Sequence, residues 1–103
     1  MRRQKGKNMA IVELADFKEY QKIEHNHEDF MIEALIAAAE KAAENWCRTK
    51  FDENAEEPVK LAVKMHAGFQ YEHRSEPDEK GYQAMMRAFR DLLTPYSNPE
   101  LEF

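Results

Sequence analysis

Residues 28–48 read EDFMIEALIAAAEKAAENWCR, and this stretch decides the fold. It holds no Gly, Pro, Thr or Val. Ala, Leu, Met, Glu and Lys are good helix formers, so the run predicts one helix of about 30 Å. Met31, Leu35, Ala38, Ala42 and Trp46 fall on one face at helical spacing. Ile32, Ile36, Ala39, Ala43 and Cys47 fall on a second face with the same spacing. Only Glu33, Glu40, Lys41, Glu44 and Arg48 mark a solvated strip. A helix apolar on two faces needs partners on two sides. The first face, with its larger side chains, is assigned to the core. The second face is either more core around a central helix or a contact with a neighbouring subunit, and it is carried forward as the candidate subunit interface.

Shorter elements flank this helix. AIVEL, which begins at residue 10, has the texture of a short extended segment, and a first helix is predicted from Leu14 to Lys22 with Phe17 inward. Glu13 and Asp16, or Asp16 and Glu19, have the spacing of a capping box, and Asn26 is the expected N-cap of the long helix. Pro58 opens a third helix that reaches His73 or Arg74, with Leu61, Met65 and Phe69 on its apolar side. A fourth runs from Gly81 to Thr94 with Met85, Phe89 and Leu92 inward. The fold class is therefore all-α, a small bundle of about four helices around one long central helix. Residues 1–8 form a basic leader expected to be disordered, residues 9–103 a single helical domain, and residues 95–103 an extended tail.

Net charge is −5 over 103 residues, and it is uneven. Arg2, Arg3, Lys5 and Lys7 lie in the leader, which leaves eleven basic against twenty acidic residues in the body. Such a body repels phosphate, which argues against a conventional nucleic-acid-binding domain but not against a surface past which DNA slides. No apolar run approaches the ~20 residues needed to cross a bilayer, so no membrane partner is expected. One cysteine forms no intramolecular disulfide, and a reducing cytosol fits.

Chemistry is sparse. Cys47 sits on an apolar face of a Glu-rich helix, where burial and negative neighbours raise a thiol pKa, and it reads as a core residue. His25 and His27 stand beside Glu24, Glu28 and Asp29, but no HExxH or CxxC motif is present. An inter-helix site of His25, His27 and His73 was weighed against loop solvation for the first two and a helix C-terminal charge for the third. The bland reading is preferred, with His66 a core histidine. The three glycines are isolated, so no phosphate loop exists. No catalytic residue, cofactor or metal is assigned. Lys60, Lys64 and Arg74 form a loose basic strip on the third helix; a simple solvated face is the preferred reading, and the alternative is a meeting with the Glu40 and Glu44 strip of the long helix, in this chain or another.

The ordered set IVELADFKEYQKIE, HNHEDFMIEALIAAAEKAAENW, PVKLAVKMHAGFQYEHR and MMRAFRDLLTPYSNPELEF resembles the small head–tail connector proteins of siphovirus-type phages and prophages, often described as phage DNA-packaging, head-completion or adaptor proteins. The resemblance covers residues 9–100, with Tyr71-Glu72-His73-Arg74 and Leu92-Leu93-Thr94-Pro95-Tyr96 its more specific parts. The chain departs from the family at Glu13, His73 and Ser97, where Thr, Asn and a basic residue are usual. The resemblance implies a portal-matched, dodecamer-like homo-oligomeric ring beneath the portal protein. DNA passes through its channel without specific binding, and the next head-completion or tail protein docks below. It also implies assembly in the host cytoplasm and a final place at the virion head–tail junction. Pro95, Tyr96, Pro99, Leu101 and Phe103 are the candidate docking tail. The competing readings are a small nucleic-acid-binding regulator that uses the leader with Arg87 and Arg90, and a helical protein-interaction module.

Overall fold

The computed structural model describes residues 10–98. They form four α-helices: α1 Leu14–Gln21, α2 Asp29–Cys47, α3 Glu57–Glu72 and α4 Glu79–Leu93, followed by a 3-10 turn at Thr94–Tyr96. The fold class is all-α, and each helix end lies within two residues of its expected place. The basic leader at residues 1–8, and Pro99, Leu101 and Phe103, lie outside the described residues.

Local signals explain most boundaries. Pro58 stands in the first turn of α3, where its missing N–H costs nothing. Asp78 caps α4 by accepting a hydrogen bond from the Gly81 amide at 3.0 Å. A Cβ at Gly81 would meet that carboxylate, which would have to turn aside to make room for it. Other caps differ from expectation. Glu28, not Asn26, is the N-cap of α2, and neither it nor Glu13 of α1 makes a side-chain cap. Asn26 Oδ1 instead accepts from Lys18 Nζ at 2.7 Å, and the same ammonium reaches Asp29 at 2.6 Å. The carboxamide that would cap the helix is held by a cation from α1. Pro95 and Tyr96 lie in the 3-10 turn, not in an extended tail, and Asn98 donates its N–H to the Cys47 carbonyl at 2.8 Å.

The helices alternate in direction. Tyr71, at the end of α3, reaches Glu28 at the start of α2, and the Cys47 thiol at the end of α2 reaches the Leu93 carbonyl at the end of α4. Helix α3 lies between α2 and α4 and makes the two most extensive helix–helix contacts of the bundle. The central helix is therefore α3, although α2 is the longest. Buried Val59, Ala62, Val63, His66, Ala67, Gly68 and Tyr71 spread around α3. Gly68 faces α1, and a Cβ there would lie 2.5 Å from Gln21 Oε1, so that carboxamide would have to move.

The two faces of α2 are the reverse of their assignment. Ile32, Ile36, Ala39, Ala43 and Cys47 are the buried face, within the chain's own core and unavailable as a subunit contact. Ala38 is exposed, Trp46 is 44% exposed, and Met31, Leu35 and Ala42 are half-buried. Each face carries two alanines, and the one that also holds two β-branched isoleucines is the one that closes the core. Leu61, assigned to the core, is likewise 44% exposed. Phe17, Met85 and Phe89 are buried, while Met65, Phe69 and Leu92 are half-buried against them.

Glu40 has an internal role. Its Oε2 accepts the backbone N–H groups of Ile11 at 2.7 Å and Val12 at 3.0 Å. Residues 10–13 form no strand, and this carboxylate supplies what a ladder would have supplied. The two side chains beside it are buried at 3% exposure. Burial pushes the Glu40 carboxyl above the usual carboxylate range, against the pull of the two amides. Glu44 is also engaged within the chain, accepting from the Phe51 N–H at 2.9 Å.

His66 is a core histidine, with its ring 5.0 Å from that of Phe89 and its Nδ1 without a hydrogen-bond partner among the described residues. Burial pushes its pKa below the ordinary histidine value, so the neutral ring is favoured.

Three outcomes follow from this packing. Ala39→Glu or Ala43→Glu places an unpaired carboxylate in the core and abolishes cooperative unfolding by circular dichroism, whereas Ala38→Glu leaves the urea midpoint nearly unchanged. Glu40→Ala strands two amides and costs about 1–3 kcal/mol in urea denaturation, and Glu40→Gln, which keeps an acceptor, costs less. For His66 the folded pKa lies below the unfolded one, so the unfolded chain takes up the proton first. Stability is complete above about pH 6.5 and falls as pH drops below it. The difference between urea midpoints at pH 7 and pH 5 is expected to be smaller in His66→Gln than in the unmodified protein.

Candidate functional site

With the Ile32 face inside the core, the outward side of α2 is the face left for a partner. Phe30 is 89% exposed in the first turn, and exposed Ala34, Ala37 and Ala38 continue the stripe at helical spacing. A phenylalanine held in water on a stripe of exposed alanines marks an interaction surface more than a solvated face does. Glu33 lies next to it and is exposed. No sequence assignment included Phe30. Its signal was available, since it falls between the two chosen faces and is the one large apolar residue on the side of Glu33 and Lys41.

Toward the C-terminal end of α2 the surface changes character. Trp46 lies under Arg90, whose guanidinium is 5.1 Å from the ring centre. The two residues line a shallow groove with Gln83, Arg87 and Thr94. This contact explains why a tryptophan at a core-like spacing is not in the core. The ring closes the edge between α2 and α4, and a cation covers its outer face.

A second apolar surface lies where α3 begins. Pro58, Leu61 and Leu92, with Glu57 and Lys64, line a groove of about 360 Å³. Because α2 and α3 run in opposite directions, this groove is at the far end of the bundle from Phe30. Lys64 and Lys60 are half-buried on its helix, and Lys64 Nζ sits 5.8 Å from the Tyr20 ring centre. The strip of Lys60 and Lys64 is not brought onto Glu40 and Glu44, which bind backbone amides instead.

The opposite end is tied by a knot of charge. Glu28 accepts from the Tyr71 hydroxyl at 2.6 Å, and Arg74 lies 3.2 Å from its other oxygen. The Tyr71 hydrogen bond, with help from Arg74 and the two nearby histidines, holds the Glu28 carboxyl below the usual range. The same bond pushes the Tyr71 hydroxyl up. Arg74 also stacks on the Tyr71 ring at 4.0 Å and donates to the Tyr71 carbonyl. His73, expected to cap α3 by charge, donates from Nδ1 to the Phe69 carbonyl at 3.0 Å, and its Nε2 faces Asp78 at 3.7 Å. It is not brought to His25 and His27.

None of this is arranged for covalent chemistry. Cys47 is fully buried, and burial pushes its thiol up, the opposite of an activated nucleophile. Among the described residues no helix is long and apolar enough to cross a membrane. The molecule offers two unlike apolar surfaces at opposite ends and a firmly tied interior.

Comparison with known families gives a match to the model described as phage gp6-like head-tail connector protein, over residues 11–96. Neither the curated proteins nor the solved structures compared with the chain gave a match. The matched segment runs from the first buried residue, Ile11, through all four helices to the 3-10 turn, so it covers the whole described core. On that span and this all-helical fold, the chain belongs to the phage gp6-like head-tail connector proteins and is a structural component of the phage particle.

Proposed function

We propose that the protein is a non-catalytic ring subunit that sits under the portal, extends the DNA channel and joins head to tail. The observation that carries this reading is Phe30, 89% exposed on a stripe of alanines, with a Leu61-lined groove at the other end of the bundle. A closed ring needs two different surfaces that meet head to tail. Here the Phe30 stripe of one copy packs against the Pro58, Leu61 and Leu92 groove of the next. Glu33 beside Phe30 and Lys60 and Lys64 beside the groove carry opposite charges, which fits the pairing. The former assignment of Lys60 and Lys64 to a subunit contact is kept on this basis, with Glu33 as the acidic partner.

The acidic body suits a channel through which DNA passes without being held. A subunit number near that of the portal, dodecamer-like, follows from docking one ring on another. The expected partners are the portal protein above and the next head-completion or tail protein below. Pro95 and Tyr96 contribute to that docking from the 3-10 turn, and residues 95–103 serve as the docking tail of a single helical domain. Assembly takes place in the host cytoplasm, and the final location is the head–tail junction of the virion.

Native mass spectrometry of the protein, alone and mixed with its portal, tests the reading. A closed ring, or a portal complex of matched stoichiometry, is expected. A monomer in both samples overturns it. Phe30→Asp is expected to change stability by no more than about 0.5 kcal/mol, as for an exposed site, and to eliminate the ring. A Phe30→Asp protein that assembles like the unmodified one removes this surface from the interface.

A further inference from the structure

The link between α1 and α2 brings together three side chains that the connector role does not use. His25, His27 and Glu28 each offer a ligand atom, and these atoms lie within 4.8 Å of one another. His25 Nε2 is 3.4 Å from Glu28 Oε1, and the two imidazole rings stack with centres 4.0 Å apart. Zinc bonds nitrogen and oxygen at about 2.0–2.2 Å, so two ligands of a tetrahedral site stand about 3.4 Å apart. The His25–Glu28 pair already has that edge, and the His27 ligand atom stands within 4.8 Å of both.

The loop is built to hold its shape. Lys22, in the left-handed conformation at φ 64°, ends α1, and the Ile23 N–H returns to the Lys18 carbonyl at 2.9 Å. Lys18 Nζ spans the loop, bonded to both Asn26 and Asp29. The Tyr71 hydroxyl orients Glu28 through Oε1, and Arg74 binds Oε2 on the other side. Such outer donors fix the direction of a ligating carboxylate. Arg74 also draws charge from it, which sets the site in a weak to moderate affinity range. Two imidazoles and a carboxylate suit a late first-row divalent ion over magnesium or calcium.

We infer that His25, His27 and Glu28 form a binding site for one zinc ion, with a fourth position open to water. The ion joins the α1–α2 link to the end of α3 through the contacts that Glu28 makes with Tyr71 and Arg74. The site is local and structural, and it does not depend on ring assembly.

Isothermal titration of the full chain with zinc sulfate at pH 7.5, in a buffer that does not bind metal, tests this. One ion per chain is expected, along with a zinc-dependent rise in the unfolding temperature. His25→Ala, His27→Ala and Glu28→Gln are each expected to weaken binding at least about tenfold. All three residues lie on the surface or at its margin, so their circular dichroism before zinc is expected to match the unmodified protein. His73→Ala, on a different helix end, is expected to bind as the unmodified protein does. Absence of uptake by the unmodified chain overturns the site. So does unchanged affinity in any of the three variants, or loss of binding in His73→Ala.

Discussion

Helix α3 is enclosed by the other three, and the rest of the structure depends on how near they can come to it. Ala62 and Ala67 on α3, and Ala39 and Ala43 on α2, are fully buried. Gly68 faces the side chains of Tyr20 and Gln21 on α1. Small side chains contribute little hydrophobic area one by one, but a close interface recovers dispersion along its whole length. The larger buried groups, Phe17, Ile32, Phe89 and Leu93, fill the spaces that the alanines leave at the edges of the helix pairs. A single added methylene in the alanine layer would be felt across the bundle.

The same constraint explains why the order of helices was readable in the sequence and the facing of α2 was not. Helix positions rest on local signals: Pro58 opening α3 and a run of helix formers in α2. Facing rests on which stripe meets a neighbour, and side-chain size is a poor guide to that. Met31, Leu35 and Trp46 looked like core because they are large. They lie at the margin because the face with Ile32, Ile36, Ala39 and Ala43 is the one turned into the core. Leu61 misleads in the same way, one step round the helix from buried Ala62.

Glu40 shows a second kind of illegibility. Its partners are two backbone amides, which look the same in every sequence, so no pattern of residue types announces the contact. The His25-His27-Glu28 group is the reverse case. Its members are neighbours in the chain and were visible from the start, but the support from Tyr71 and Arg74 comes from 43 and more residues away and required the fold. Family membership was legible because it resides in the order of elements, which residues 11–96 preserve from end to end.

Trp46 is the chain's sole tryptophan, and it is placed half in water beneath a single arginine. Indole emission shifts with the polarity of its surroundings and with a nearby cation. The protein therefore carries its own optical probe, set on the rim between α2 and α4 and away from the alanine layer. Any molecule that lands on that rim must displace Arg90 or cover the ring, and either event alters the emission without a label. Unfolding and docking would change the same signal from different starting points, so the two can be separated by recording whole spectra and not intensity at one wavelength.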